Sequence, residues 1–205
     1  MTICGTILAG GLARRLGGGD KSLREVAGRT ILDRTIARLQ PHCAALAINA
    51  NGDPARFAAF GLPVIADSIE GYAGPLAGIL AGMDWCAETY PNAGWLVTAP
   101  ADCPFLPVDF VPRLIGEQDA SNANIIVAES GGRTHPVTAL WRLGLREALR
   151  SHLIQDGSHK VESWIRSQRW TAVRWPDDPY DPFFNINTPD DLAVAETLIL
   201  KGLVH

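Results

Sequence analysis

Apolar segments of strand length alternate with helical segments along most of this chain, and this alternation is the feature that most constrains its fold. Residues 3–9, 44–50 and 94–99 are apolar runs that lead into turn-forming residues, as buried strands do. Residues 31–39 and 76–88 have the pattern of helices between them. Strands and helices in alternation build a parallel sheet that is covered on both faces. The sequence therefore predicts a three-layer α/β/α, Rossmann-like fold with a mainly parallel sheet.

The rest of the chain continues this pattern without a repeat or a linker. One core can hold a chain of 205 residues, so we expect a single domain over residues 1–205. The last helix is predicted to begin with Thr188 as its N-cap and Pro189 at its first position. Further strands are predicted near 63–66, 123–128, 134–141 and 170–174, and further helices near 107–118, 143–153 and 158–167.

Polar residues or glycines follow four of the predicted strands. Gly10, Asn49, Asp67 and Asp102 each stand at or just after the end of an apolar run. Ligands bind outside the carboxyl ends of strands in open α/β sheets, where such loops meet. We therefore expect these four residues to lie at one edge of the sheet and to form a ligand site.

The first of these loops, from Leu8 to Lys21, has the composition of an anion-binding loop. Its glycines allow backbone N–H groups to approach a phosphate, and its basic residues neutralise charge, although an ordinary turn is the alternative. A Walker A loop is excluded because Asp20 separates the last glycine from Lys21. The dinucleotide-binding fingerprint is excluded because the pair Gly10 and Gly11 breaks its spacing.

Charge and hydropathy exclude several other classes of protein. The formal net charge is −4, which argues against broad capture of nucleic acid. No apolar run approaches the roughly 18 residues of a membrane span, and the N-terminus has no basic leader. The four cysteines form neither a zinc motif nor a close pair. We therefore expect no membrane association and a cytoplasmic location with reduced thiols.

The loop resembles a known signature, L-A-G-G-x-S-x-R-M-G-x-x-K, of nucleotidyltransferases and specifically of the MobA-type molybdenum cofactor guanylyltransferases. Ala13 stands for the usual serine and Leu16 for the usual methionine. Other segments similar to the family follow in the expected order and together extend over nearly the whole chain. The loop residues that match are Gly10, Gly11, Arg15, Gly17 and Lys21, although three residues and not two separate Gly17 from Lys21, and the later segments are 48–51, 64–68, 74–78, 100–104, 135–136 and 185–189.

The resemblance assigns roles to individual residues of this chain. It implies that GTP binds in the N-terminal half and that the pterin substrate binds in the C-terminal half. Gly11 favours guanine, because the related cytidylyltransferases resemble L-A-A-G at this point. The implied GTP contacts are Leu8, Ala9, Gly10, Gly11, Lys21, Asn49, Asp67 and Asp102; the catalytic residues are Lys21, Arg15 and Asp102; the pterin contacts are Asn185, Asn187 and His135.

Asp102 is the residue that we expect to bind a metal ion. It follows a strand in a loop bounded by two prolines, and Mg²⁺ usually takes one or two carboxylates together with phosphates and water. The alternative is an aspartate that only caps a turn. Asn187 can supply a second oxygen ligand. We interpret His135 as a structural residue, since the reaction implied below needs no base.

The implied reaction is the Mg²⁺-dependent transfer of GMP from GTP to the terminal phosphate of molybdenum-molybdopterin. Pyrophosphate leaves, and the molybdopterin guanine dinucleotide cofactor forms. Molybdenum insertion proteins and molybdoenzyme chaperones are the protein partners that this reaction implies. The sequence leaves three alternatives open: another phosphorylated acceptor, a cytidylyltransferase, and a non-catalytic nucleotide-binding carrier of the cofactor.

Overall fold

The computed structural model describes residues 1–10, 20–69, 74–156 and 160–204. The predictions made for Gly11 and Arg15 therefore lie outside the described residues, as do those for Ala13, Leu16 and Gly17. None of the helices in the described ranges is long and apolar enough to cross a membrane.

A seven-stranded sheet forms the centre of the fold, and a two-stranded ribbon lies beside it. The strands are β1 (Ile3–Leu8), β2 (Glu25–Val26), β3 (Arg29–Thr30), β4 (Ala45–Asn49), β5 (Val64–Ile65), β6 (Trp95–Pro100), β7 (Ile125–Ser130), β8 (Arg133–Arg142) and β9 (Trp170–Arg174). The order in the large sheet is β5-β4-β1-β6-β8-β7-β9, and β2 pairs with β3.

Helices cover both faces of this sheet. Successive side chains of a strand point to opposite faces, so Ile3 and Ile7 of β1 pack in one apolar cluster and Cys4 packs in the other. The helices are α1 (Ile31–Leu39), α2 (Pro75–Thr89), α3 (Phe110–Ala120), α4 (Arg146–Asp156), α5 (Val161–Arg166) and α6 (Pro189–Leu200). The first cluster includes side chains of α1 and α3, and the second includes side chains of α2, α4 and α5. The predicted three-layer fold is thereby confirmed.

The last helix begins as predicted. The Thr188 side chain accepts a hydrogen bond from the Asp191 backbone N–H, and the Asp191 side chain accepts one from the Thr188 backbone N–H. This reciprocal pair is a capping box, and Pro189 occupies the first turn. The cap fixes the segment just before α6, which contains Asn185 and Asn187.

Strand β8 runs opposite to the six other strands of the large sheet. It is antiparallel to β7 because only a tight turn separates the two strands. On its other side it also pairs antiparallel with β6. Its first residues therefore reach the same edge of the sheet as the carboxyl ends of β6 and β7. The register shifts between Val127 and Ala128, whose partners are Ala139 and His135. Pro136 lies in the bulge that results, as expected of a residue without a ladder donor.

Candidate active site

The ends of β4 and β5 hold a carboxylate between two amides. Asn49 donates through Nδ2 to Asp67 Oδ1 at 3.0 Å, and Asn51 donates through Nδ2 to Asp67 Oδ2 at 2.8 Å. The Asp67 backbone N–H donates to Asn51 Oδ1 at 2.9 Å. A carboxylate has about four lone-pair positions, so both oxygens can accept further hydrogen bonds from a ligand. The three side chains form a preorganised group of acceptors and donors.

A glycine of α2 makes room for this group. A Cβ atom at Gly78 would lie inside the van der Waals contact distance of Asn49 Oδ1 and 3.0 Å from Leu8 Cδ2. Asn49 is only 5% exposed, so it cannot move outwards without losing its contacts. A cavity of about 340 Å³ opens beside it. The cavity is lined by Leu8, Gly10, Asn49, Asn51, Asp67, Gly74, Pro75, Pro100 and Val137.

Lys21, Asp102 and Asn187 come together from three distant parts of the chain. Lys21 Nζ forms an ion pair with Asp102 Oδ2 and donates a hydrogen bond to Asn187 Oδ1 at 2.7 Å. The Ile186 backbone N–H donates to the Asp102 carbonyl oxygen at 3.0 Å, which fixes the 185–187 segment against the end of β6. Lys21 and Asp102 border a small cavity of about 70 Å³ together with Leu8, Ala9, Ser22, Pro100 and Ala101.

The second carboxylate oxygen of Asp102 has no hydrogen-bond partner among the described residues, although it is buried. A buried anionic oxygen without a partner is costly, and a bound cation removes that cost. No group of three or more His, Cys, Asp or Glu side chains in the described ranges can hold a metal ion. Asp102 and the amide oxygen of Asn187 can therefore hold a divalent cation that takes few protein ligands and completes its shell with phosphate and water.

A larger cavity of about 780 Å³ adjoins the first one. Pro100 and Val137 line both cavities, and Pro100 also borders the small cavity at Lys21. The antiparallel direction of β8 and the bulge at its start bring Val137 to this position. The polar wall of the large cavity includes Arg133, His135, Asp181, Asn185 and Asn187, and Phe183 and Phe184 contribute apolar surface.

The hydrogen bonds of His135 define its tautomer. Ser130 Oγ lies 2.7 Å from His135 Nε2 and donates to Asp181 Oδ1 at 2.7 Å. The ionised Asp181 can only accept, so the single hydroxyl hydrogen of Ser130 points to it and His135 Nε2 must carry a hydrogen. Burial lowers the pKa of His135, as does the charge of Arg133, whereas Asp181 raises it. The geometry and the lowered pKa favour a neutral ring.

The lowered pKa of His135 predicts a loss of stability in mild acid. Below the ordinary value of 6.5, the unfolded chain binds a proton that the folded protein resists until its own lower pKa is reached. The free energy of unfolding should therefore decrease as the pH falls through that window. We expect urea unfolding between about pH 7.5 and 5.5 to show a larger decrease for the wild type than for His135→Gln, whose amide can still donate to Ser130. Equal decreases would contradict this assignment.

The structure thus places the predicted site residues of the described ranges around three adjoining cavities. Leu8, Gly10, Asn49 and Asp67 line the first; Ala9, Lys21 and Asp102 border the small one; His135, Asn185 and Asn187 line the large one. Asn51 and Gly78 belong to the segments 48–51 and 74–78 that resemble the family, and no sequence pattern pointed to Ser130 or Asp181. Asn51 follows β4 at the same edge as Asn49, and that position is the signal that could have identified it.

Comparisons with known proteins show which family this sequence is similar to. The sequence pattern of the MobA-like NTP transferase domain matches residues 5–173. A protein of Rhodopseudomonas palustris (strain BisB5), named molybdenum cofactor guanylyltransferase, is 56% identical over 195 residues, which are 95% of this chain and 93% of that protein.

Solved structures with the same fold include proteins with different names. Molybdopterin-guanine dinucleotide biosynthesis protein A from Archaeoglobus fulgidus has a TM-score of 0.74 at 23% identity and covers 97% of this chain and 99% of its own. The 4-diphosphocytidyl-2C-methyl-D-erythritolsynthase from Anaerococcus prevotii has a TM-score of 0.73 at 12% identity and covers 97% of this chain and 96% of its own. One name refers to a guanine compound and the other to a cytidine compound, so the fold alone does not select the base.

Proposed function

This chain belongs to the MobA-like NTP transferase family, and we propose that it transfers GMP from GTP to the terminal phosphate of molybdenum-molybdopterin. The observation that carries this proposal is the contact of Lys21, Asp102 and Asn187 beside Pro100, where the cavities adjoin. One cavity can hold a nucleotide and the other an acceptor, with their phosphates meeting at Lys21.

The first cavity suits the guanine end of GTP. Asp67 presents two carboxylate oxygens, and a guanine edge carries a ring N–H and an amino group that can donate to such a pair. Asn49 and Asn51 hold the carboxylate in place. Leu8, Ala9 and Gly10 lie between this carboxylate and Lys21. Lys21 supplies the positive charge that we expect at the phosphates of GTP. Gly11 and Arg15, which lie outside the described residues, remain predictions for the base preference and for additional phosphate binding.

The large cavity suits the pterin acceptor. It combines hydrogen-bonding side chains, among them Asn185 and Asn187, with the aromatic rings of Phe183 and Phe184. A pterin ring needs both kinds of contact, because it is flat and carries donors and acceptors at its edge. His135 borders this cavity as a neutral ring fixed by Ser130.

The reaction joins two anions and needs no base from the protein. An oxygen of the acceptor phosphate attacks the α-phosphorus of GTP, the bond from that phosphorus to the β-phosphate oxygen breaks, and pyrophosphate leaves. The attacking phosphate has a second pKa of about 6, so it is largely ionised at neutral pH. The protein must align the two phosphates and offset their repulsion. Lys21 supplies positive charge at that position.

Enzymes of this kind generally use a divalent metal ion, and we propose Mg²⁺ at Asp102. The buried free oxygen of Asp102 fits such an ion, and Asn187 Oδ1 is the second candidate ligand. When bound, the ion supplies positive charge to the phosphate oxygens of the substrates.

The assay for this proposal measures pyrophosphate release from labelled GTP, Mg²⁺ and molybdenum-molybdopterin. We expect release that depends on all three components and a dinucleotide product that carries the label. CTP in place of GTP should give little product. Preferred use of CTP would make the chain a cytidylyltransferase, and GTP binding without any transfer would make it a carrier.

Gly78→Ala should weaken GTP binding although residue 78 itself need not contact GTP. The new methyl group must displace Asn49, so Asp67 loses one of its two amide donors. We expect the KM for GTP to rise about tenfold, as for the loss of one good hydrogen bond, and overpacking to cost about 1–3 kcal/mol of stability.

Gly116→Ala is the matched control for that variant. Gly116 also lies within a helix, α3, but a Cβ atom there has no neighbouring heavy atom within 4 Å. We expect an unchanged KM and a stability gain of about 0.5–1 kcal/mol, because alanine favours the helix. A KM that is equally unaffected in both variants would show that the hydrogen bond from Asn49 to Asp67 does not support nucleotide binding.

Several wider expectations remain predictions. The four cysteines are free thiols, as in proteins of a reducing compartment, which favours the predicted cytoplasmic location. Molybdenum insertion proteins and molybdoenzyme chaperones remain the expected partners. The single domain over residues 1–205, with GTP in its N-terminal half and the pterin in its C-terminal half, likewise awaits a test.

A further inference from the structure

We propose that Arg56 is a positioning residue for Lys21 and that it acts through Asp20, to which it is hydrogen-bonded. The inference rests on the proposed function. Arg56 lies in the short helical segment Pro54–Phe60 after β4, outside the three cavities described above. Its hydrogen bonds connect Asp20, which precedes Lys21, with Asn51, whose side chain binds Asp67.

The guanidinium of Arg56 is fixed by three acceptors. Nη1 donates to Asp20 Oδ1 at 2.5 Å, Nη2 donates to the Asn51 carbonyl oxygen at 2.6 Å, and Nε donates to the Asp53 carbonyl oxygen at 2.9 Å. The same group lies 5.1 Å from the ring centre of Phe57. The planar fork of an arginine can satisfy acceptors in three directions at once, whereas a lysine cannot hold that geometry.

Asp20 connects Arg56 to Lys21, because it binds the guanidinium and directly precedes the lysine in the chain. The Asp20 side chain is 9% exposed, and its carbonyl oxygen accepts from the Leu23 backbone N–H at 3.2 Å, which starts the helical turn Lys21–Leu23. Both the side chain and the backbone of Asp20 are therefore held. Lys21 is the next residue, so the start of its side chain is set by the contact between Asp20 and Arg56.

The same guanidinium also touches the part of the site that faces the base. Asn51 accepts from Arg56 with its backbone carbonyl and donates to Asp67 with its side chain. One side chain thus fixes the spacing between Asp67, the proposed guanine contact, and Lys21, the proposed phosphate contact. Correct alignment of phosphates is a large part of catalysis in this reaction class.

The first test compares Arg56→Met with Arg150→Met. Arg150 Nη2 forms an ion pair with Asp84 Oδ1 at the same distance of 2.5 Å, and its side chain is 32% exposed against 31% for Arg56, but it joins α4 to α2 away from the cavities. We expect Arg56→Met to lower kcat for guanylyl transfer about tenfold. Arg150→Met should leave kcat unchanged. Equal kcat values in the two variants would overturn the proposal.

The second test separates positioning from a general structural effect. If Arg56 acts through Asp20 and Lys21, Arg56→Met should lower turnover no further in an Asp20→Asn or a Lys21→Ala protein. A further tenfold loss in the Lys21→Ala protein would overturn the proposal.

The third test does not depend on activity. Lys21, Lys160 and Lys201 are the three lysines of the chain, and the last two are exposed. Acylation by an amine-reactive ester, followed by peptide mass spectrometry, should label Lys21 several times faster in Arg56→Met than in the wild type, relative to Lys160 and Lys201. Unchanged relative labelling would overturn the proposal. If Lys21 is labelled faster in Arg56→Met than in the wild type, but the wild type transfers no GMP, the proposed function is disproved and the positioning of Lys21 by Arg56 is not.

Discussion

Asp102→Asn is expected to lower guanylyl transfer by about 10²–10³-fold while the protein remains folded. The amide keeps the shape of the side chain, but it removes the negative charge and replaces one of the two carboxylate oxygens by an NH₂ group, which cannot bind a metal ion beside the buried Oδ1 position. The contact between the Ile186 N–H and the backbone carbonyl of residue 102 remains, so the segment with Asn185 and Asn187 stays in place. The loss should therefore appear in turnover and not in the fold.

Two measurements check this result. The Mg²⁺ concentration for half-maximal activity should rise in Asp102→Asn, and thermal unfolding should change little. Asp109→Asn is a suitable control, because Asp109 pairs with Trp175 and Arg113 away from the cavities. Transfer by Asp102→Asn within about threefold of the wild type would exclude Asp102 from the machinery, since the loss of one electrostatic contact costs far more.

Lys21→Met is expected to lower turnover by about 10²-fold or more and to weaken GTP binding. Methionine preserves most of the aliphatic side chain, so the change mainly removes the positive charge that Asp102 and Asn187 hold in place. Without that charge, two substrate phosphates must approach each other beside the carboxylate of Asp102. Steady-state kinetics and GTP titration measure the two effects separately.

Two further variants refine the role of Lys21. Lys21→Arg keeps the charge but has a larger, planar head group, so partial activity is expected if charge dominates. The double variant Lys21→Met with Asp102→Asn should lose much less than the product of the single losses, because the two side chains act as a contacting pair. Full additivity would indicate that they act independently.

The strand and helix pattern was predictable because it depends on local sequence. The predicted strands near residues 3–9, 44–50 and 170–174 correspond to β1, β4 and β9, and the cap at Thr188 is the one observed. Periodicity and capping are properties of neighbouring residues. The ribbon of β2 and β3 was not predicted, since two strands of two residues leave too short a pattern.

The direction of β8 depended on less obvious information. Its run of residues was recognised as extended, but the general rule of alternating strands and helices favours parallel neighbours. A tight turn from β7 made it antiparallel. That reversal brings the start of β8, with His135 and Val137, to the edge of the sheet at which β1, β4 and β6 end.

The sequence by itself determined the fold class and which strand ends carry polar residues, because both follow from side-chain order along the chain. The resemblance to guanylyltransferases added the roles expected for Lys21, Asp102 and Asn187. Only the tertiary structure decided which of these side chains touch. Lys21 and Asn187 are 166 residues apart, and Arg56 reaches Asp20 across 36 residues. Such contacts arise from the packing of the sheet and its loops, which local sequence patterns do not encode.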